Sequence, residues 1–357
     1  MAKIYEIYGR DAHEMTKALM DAADVADKIP KGANIALKPN LVKAGVPKTG
    51  ATTHQGVLSG CIEYLKENGF SDISIIESSW VGERTERSVR ACGYDKICEK
   101  YNVPFYDLKS DKVRTVDTPF RPMDISCRAL DSAYLIDLPV LKGHCQTMMT
   151  CALKNLKGCI PDREKRQFHA DGLIKPIAAL AAVLRPSLII VDSICGDLYF
   201  EEGGNPVHTN RMMLGSDPVQ IDAYGCKLMG LDLDDVPYIG LAEKWGAGST
   251  IVSEDDIVKL NEPVRSQEYP PASGMIKRLV SNVDADSACS ACYASLVRAL
   301  YVADREGIRI KDKIHIGQGH QGKTLDGIGI GRCCGNAKVC VMGCPPTADA
   351  IISQLRE

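Results

Sequence analysis

Apolar positions recur at two different spacings along the first hundred residues, and the spacing switches back and forth. Residues 3–8 alternate as a strand does, while 12–27 carry apolar side chains at helical intervals. Residues 34–38 read as a buried strand, followed by Pro39, Asn40 and a Gly- and Pro-rich loop to Thr53. A helix over 56–68 stops at Gly69, where glycine suits the left-handed turn that ends helices. A strand over 72–77 and a helix over 85–100 follow. Such a β-α-β-α order predicts an α/β fold, a Rossmann-like parallel sheet covered by helices on both faces.

The middle of the chain has a looser pattern. Short alternating strands fall within 103–121, and a long hydrophobic strand over 128–140 ends at Leu141, Lys142, Gly143 and His144. A helix over 148–156, a polar loop over 161–169 and a helix over 174–183 come next, then a strand over 187–191 that runs into Asp192. Gly203, Gly204, Asn205 and Pro206 form a loop, and the helix over 217–229 takes Asp217 as N-cap and Pro218 at its first position. A further helix over 235–245 ends at Gly246. The Pro-, Glu- and Ser-rich stretch from 261 reads as a linker, dividing the chain into an α/β region over 1–260, a linker over 261–280 and a small α/β module over 281–357. In that module a helix over 292–304, strands over 313–317 and 337–342, and a helix over 347–355 frame a cysteine loop.

Six of the cysteines lie in two tight groups there. Cys289 and Cys292 have C-x2-C spacing, and Cys333, Cys334, Cys340 and Cys344 sit among glycines and prolines. Thiolates are soft ligands, and four of them suit an iron–sulfur cluster or a closed zinc site. Zinc ribbons pair two C-x2-C knuckles, and only the first group has that spacing. The second ends in C-x3-C-P, as bacterial cluster-binding runs do, which favours a [4Fe-4S] cluster. Cys289, Cys292, Cys333 and Cys344 are the expected ligands, with Cys334 and Cys340 as alternates.

Ligands of parallel sheets bind beyond the C-terminal ends of the strands. That rule gathers Lys38, Asn40, the loop around Lys48, Glu77, Ser78 and Ser79 toward one crevice. Lys154, with Lys157 a turn on and Arg163, Lys165 and Arg166 beyond, makes a positive site suited to a small carboxylate or phosphate. The plainer alternative is a solvated basic loop. His144 and His169 flank the lysine and titrate in a range useful for acid and base work, so Lys154, His144 and His169 form the expected catalytic set. Lys38, Asn40, Asn155, Arg163, Asp192 and Glu202 form the expected substrate-binding set, and the acidic members leave room for a second metal ion. Cys145, Cys151 and Cys159 match no cluster spacing and read as small buried side chains.

Composition narrows the class without naming a reaction. The 357 residues carry 43 basic and 46 acidic side chains, with no basic block of the kind nucleic acids or membrane surfaces attract. No run of about eighteen apolar residues occurs, so no membrane span is expected. Fifteen cysteines argue for metal ligation or reactive thiols in a reducing cytoplasm, such as that of an anaerobe. No flavin or nicotinamide motif stands out, which points to a ferredoxin-like electron donor.

The phrase Val-Met-Gly-Cys-Pro-Pro, ending at Pro346, resembles the cluster-binding segment of the small iron–sulfur subunits of Ni–Fe hydrogenases and respiratory complex I. Lys142-Gly143-His144 followed by Ala152-Leu153-Lys154-Asn155-Leu156-Lys157-Gly158 is similar to the signature of domain-of-unknown-function family 362. Asp192, Glu202 through Pro206, Ser216 through Val219, Asp222 and Ala223, and the C-terminal cysteines match that family's order. The resemblance implies iron–sulfur binding. The order His144, Lys154, His169 also resembles lactate racemase and its nickel-pincer relatives, where the lysine carries the cofactor and the later histidine ligates nickel. Here Cys151, Ala152 and Leu153 replace the Gly-Gly-Arg before the lysine, and the racemase's catalytic Gly-x-His-Arg has no clear equivalent at Ser79 and Trp80. Three functions follow as expectations: a redox enzyme passing cluster electrons to a small anion, a non-redox isomerase, racemase or lyase, and a plain electron carrier.

Overall fold

The computed structural model describes residues 2–263, 268–269 and 274–357. Of the expected linker, residues 264–267 and 270–273 lie outside the described residues. The chain forms two compact units: Met1–Glu164 with Ile174–Pro271, and Lys165–Leu173 with Ala272–Glu357.

The first unit is built on an eight-stranded mixed sheet. Its strands are β1 (Ile4–Tyr8), β2 (Ile35–Pro39), β3 (Ile73–Glu77), β4 (Phe105–Asp107), β5 (Tyr134–Leu138), β6 (Leu188–Ser193), β7 (Arg211–Gly215) and β8 (Ile257–Lys259). The order across the sheet is β8-β1-β7-β6-β5-β2-β3-β4. Strands β2 to β6 run parallel to one another, and β7 is antiparallel to both of its neighbours. The α/β reading therefore holds, with a single antiparallel strand inserted. Ile35 and Leu37 of β2, Ile73 and Ile75 of β3, and Ile136 of β5 pack under Met15, Leu19, Leu58, Ile62 and Leu65 of the helices Ala12–Ala22 and Gln55–Glu67. Alternation then turns Lys38 to the other face, where it stands directly across from Asp137 of β5.

Several helix and strand expectations change, each for a local reason. The helix expected over 12–27 breaks at Asp24, which adopts φ 47°, and that over 85–100 breaks at Gly93, φ 69°. Residues 128–140 divide into a helical turn, Cys127–Leu130, and strand β5. The helix expected over 148–156 begins instead as a strand, because Met148–Thr150 pairs back on Lys142–His144 in a tight hairpin. Only Ala152–Asn155 is α-helical there, continued by a 3-10 turn over Leu156–Cys159. The polar loop expected over 161–169 is the helix Asp162–Ala170. Its acidic residues in the first turn complement the helix dipole, and Glu, Lys, Arg and Gln are good helix formers. Asp217 caps its helix as expected, accepting from the Val219 and Gln220 amides.

The second unit holds a four-stranded parallel sheet in sequential order: β9 (Val283–Ala285), β10 (Ile314–Ile316), β11 (Leu325–Ile330) and β12 (Ala337–Val341). The long helix Ser290–Arg305 buries Ala294, Leu296, Val297 and Leu300, and the helix Ala348–Leu355 packs against it. Among the described residues no helix is long and apolar enough to cross a membrane.

Candidate functional site

In the first unit, polar side chains gather where the parallel strands end. Lys38 is fully buried, and its Nζ donates to Glu77 Oε2 at 2.6 Å. Gly158 lies so close to this carboxylate that a Cβ there would stand 1.8 Å from Glu77 Oε1. Beside the pair runs an oriented relay: Lys142 Nζ donates to Asn40 Oδ1 at 2.8 Å, Asn40 Nδ2 to Asn155 Oδ1 at 2.7 Å, and Asn155 Nδ2 to Asp137 Oδ1 at 2.7 Å. Burial pushes Asp137 up to about 7, against the pull of Lys38 and Asn155. Lys142 also donates to the Ala51 carbonyl and, at 2.7 Å, to the Glu201 carbonyl. Burial lowers it to about 7, with Lys154 adding to the shift and the charges of Glu201, Asp197 and Glu202 opposing it.

The member of this buried cluster that sequence reasoning missed is Glu201. Its Oε1 lies 3.0 Å from Lys154 Nζ and its Oε2 lies 2.6 Å from His144 Nε2, with all three residues buried. Burial would raise this carboxyl, but Lys154, then His144 and Lys142, hold it well below its ordinary value. His144 Nδ1 accepts from the Gln146 and Thr147 amides at 3.0 and 3.2 Å, so the neutral ring carries its hydrogen on Nε2. In this orientation the Nε2–H edge of His144 faces Glu201. Burial, with Lys154 second, pulls its pKa down to about 4. Their 2.6 Å approach is a close ion-pair contact, and Glu202 Oε2 is buried without a hydrogen bond. Burial pushes Glu202 up to about 7.

Three features hold this set in place. Asp222 accepts from the Ala152 and Leu153 amides at 2.7 and 3.3 Å and so anchors the short helix that presents Lys154 and Asn155. Gly143 packs on the Glu201 loop so tightly that a Cβ would stand 2.2 Å from the Leu198 carbonyl oxygen. Cys145, Cys151 and Cys159 are buried, as their spacing implied.

The remaining expected residues have the following surroundings. Arg163 was placed in the substrate-binding set on the premise of a loop. It stands instead in the first turn of a helix, exposed, and pairs with Asp124 at 2.8 Å. His169 belongs to the second unit, where its Nε2 lies 3.3 Å from the Ser290 amide nitrogen. Asp192 is buried and takes hydrogen bonds from the His54 amide and from His54 Nδ1, both at 2.7 Å.

Burial alone would lower the His54 pKa; the Asp192 charge and hydrogen bond outweigh it and leave it raised. The pair then stabilises the fold fully below the unfolded histidine value of about 6.5, and that contribution disappears as pH rises through the folded value. We expect Asp192→Asn to lower the melting temperature most at acid pH and progressively less toward pH 9. A gap that is constant across that range would rule out a charged His54.

In the second unit Cys289 is the N-cap of the helix Ser290–Arg305, which places Cys292 within its first turn. Burial pushes Cys292 up to about 12, and the next causes are the charges of Cys289, Cys344, Cys333 and Cys334, in that order. Cys333 lies in the 3-10 turn Arg332–Cys334, and its leading charged neighbour is Cys344. Gly331, at φ 88°, leaves room here: a Cβ on it would stand 3.7 Å from Cys292 Sγ and 3.5 Å from the Gly343 carbonyl oxygen. The other two thiols have further contacts of their own. Cys334 is fully buried against the Ile330 and Gly317 backbone, and Cys340 Sγ lies 3.7 Å from the Gly331 carbonyl and 3.5 Å from Met342 Sδ.

Comparison with known proteins finds both sequence relatives and structural neighbours. The chain is 24% identical over 233 residues to the thylakoid-associated protein sll1697 of Synechocystis, covering 62% of this chain and 71% of that one. The lactate racemase apoprotein of Thermoanaerobacterium thermosaccharolyticum superposes with a TM-score of 0.44 at 13% identity, and a Thermotoga maritima protein with 0.41 at 14%. These superpositions cover 63% and 62% of this chain, which spans 57% and 60% of those two proteins. A family model matches residues 35–227, more than half of the chain and the whole stretch from β2 through Asp222, so the protein belongs to the family described as Domain of unknown function (DUF362).

Proposed function

We propose that the protein is a cytoplasmic iron–sulfur redox enzyme acting on a small anionic substrate, with a [4Fe-4S] cluster in the module over 281–357. One observation carries the reading: Cys289, Cys344 and Cys333 are the leading charged neighbours of the Cys292 thiol, ahead of the fully buried Cys334, while Cys340 Sγ lies against the Gly331 carbonyl and Met342 Sδ. Four soft thiolates, one of them exposed, fit such a group. Bound there, the cluster supplies one-electron transfer. Lys154 offers the cationic group, and His144 the N–H, that a carboxylate or phosphate needs; Glu201 balances the charge. A ferredoxin-like protein is the fitting electron donor.

Anaerobically purified protein is expected to hold about four iron and about four acid-labile sulfide per chain, with an EPR signal after dithionite reduction. Zinc without sulfide would overturn the redox reading.

A second reading has its own support. The buried chain Lys154–Glu201–His144 joins an amine, a carboxylate and an imidazole, the groups that proton transfer uses, and fits an isomerase, racemase or lyase with a structural cluster. Turnover that persists with the cluster held oxidised would select it.

A further inference from the structure

The second unit contains another group of ligand-type side chains, separate in composition from the cysteines. Asp284 on β9 and His315 on β10 are direct partners in the parallel pairing, so their side chains lie next to each other on one face. His320 returns to them by a sharp turn. Gly317, at φ 125°, and Gly319 both press on Asp286, where added Cβ atoms would stand 1.9 and 2.0 Å from its atoms. The turn Gln318–His320 is thereby pinned over the end of β9. One ligand atom from each of Asp284, His315 and His320 lies within 4.8 Å of the other two.

Hydrogen bonding fixes the tautomers. His315 Nε2 lies 2.8 Å from the Asp326 carbonyl oxygen, and His320 Nε2 lies 3.0 Å from that of Asp284. A carbonyl only accepts, so both Nε2 atoms carry hydrogen. Each neutral ring then has its lone pair on Nδ1, and both Nδ1 atoms are buried without a hydrogen bond. His315 Nδ1 faces Asp284 Oδ2 at 3.2 Å, two acceptors that repel unless a cation joins them. A proton on His315 would answer that contact alone and leave His320 Nδ1 unpartnered. Protons on both would set two buried cations side by side, with ring centroids 5.3 Å apart. An imidazole whose second nitrogen donates to a backbone carbonyl is how metal-binding histidines are oriented.

We propose that Asp284, His315 and His320 form a binding site for a divalent transition-metal ion of the zinc class. Two imidazoles and a carboxylate suit Zn²⁺ or Co²⁺, and three protein ligands leave one position for water or a fourth group. Lys313 Nζ lies 3.1 Å from Asp284 Oδ2, so it competes with the ion for that oxygen.

Cobalt titration of the anaerobically purified protein tests the site, because thiolate-bound cobalt shows a sulfur charge-transfer band that a nitrogen and oxygen site lacks. The wild-type chain is expected to bind about one cobalt without that band and to exchange it for zinc. His315→Gln and Asp284→Asn, each checked for folding by circular dichroism, are expected to lose at least about tenfold in affinity. Lys313→Met is expected to bind several-fold more tightly. Cobalt that shows only the sulfur band, or binding unchanged in both ligand variants, would reduce the trio to a structural ion-pair cluster.

Discussion

Alanine at Cys289, Cys292, Cys333 or Cys344 is expected to strip the anaerobically purified protein of most of its iron and sulfide, and with them the EPR signal of the reduced form. Alanine at Cys334 or Cys340 is expected to leave about four of each. The split follows from geometry. Cys289, Cys344 and Cys333 are the leading charged neighbours of Cys292, ahead of Cys334, and a cluster on four thiols loses a quarter of its protein ligands with any one substitution. Cys340 already has its sulfur against a backbone carbonyl and a methionine sulfur, and Cys334 faces backbone on the buried side of its turn. Cys334→Ala therefore costs packing, on the order of 1 kcal/mol, rather than iron. If Cys340→Ala or Cys334→Ala abolished the signal while Cys333→Ala kept it, the ligand assignment would be overturned.

Much of this arrangement was legible along the chain, and the failures share a cause. Parallel strands buried on both faces are short apolar runs with glycine or polar punctuation, so β2, β3, β5 and β6 could be located within a residue or two at one or both ends. The stretch from Lys142 to Ala170 could not be read that way. Its hairpin depends on pairing between Lys142–His144 and Met148–Thr150, which periodicity cannot see, and its charged helix has no apolar stripe to announce it. Of the expected site residues, Lys38, Asn40, Asn155, His144, Lys154 and Asp192 all lie buried in polar networks. Glu201 escaped because it stands next to Glu202 in a loop, and nothing local decides which carboxylate turns toward the lysine. His54 and Asp192 are 138 positions apart, and Asp284 and His315 are joined only by strand pairing.

Glu201→Gln is expected to destabilise the first unit by about 3–5 kcal/mol, because it leaves the buried Lys154 ammonium without its carboxylate. For a unit of this size that is roughly a 10 °C fall in melting temperature. Lys154→Met alone is also expected to destabilise, since Glu201 would then have His144 as its nearest partner. The double variant should recover part of the loss, because neither orphaned charge remains, and the cycle isolates the pair. Acid pH supplies a second check with a definite sign. A carboxyl held below its unfolded value stabilises the fold fully above that value, about 4.5, and the contribution is lost as pH falls through the folded value. The gap between wild type and Glu201→Gln should thus be level above about pH 5 and narrow only in stronger acid. A deficit under about 1 kcal/mol, the size typical of exposed pairs, would place Glu201 in solvent and remove the basis for reading Lys154, Glu201 and His144 as one site.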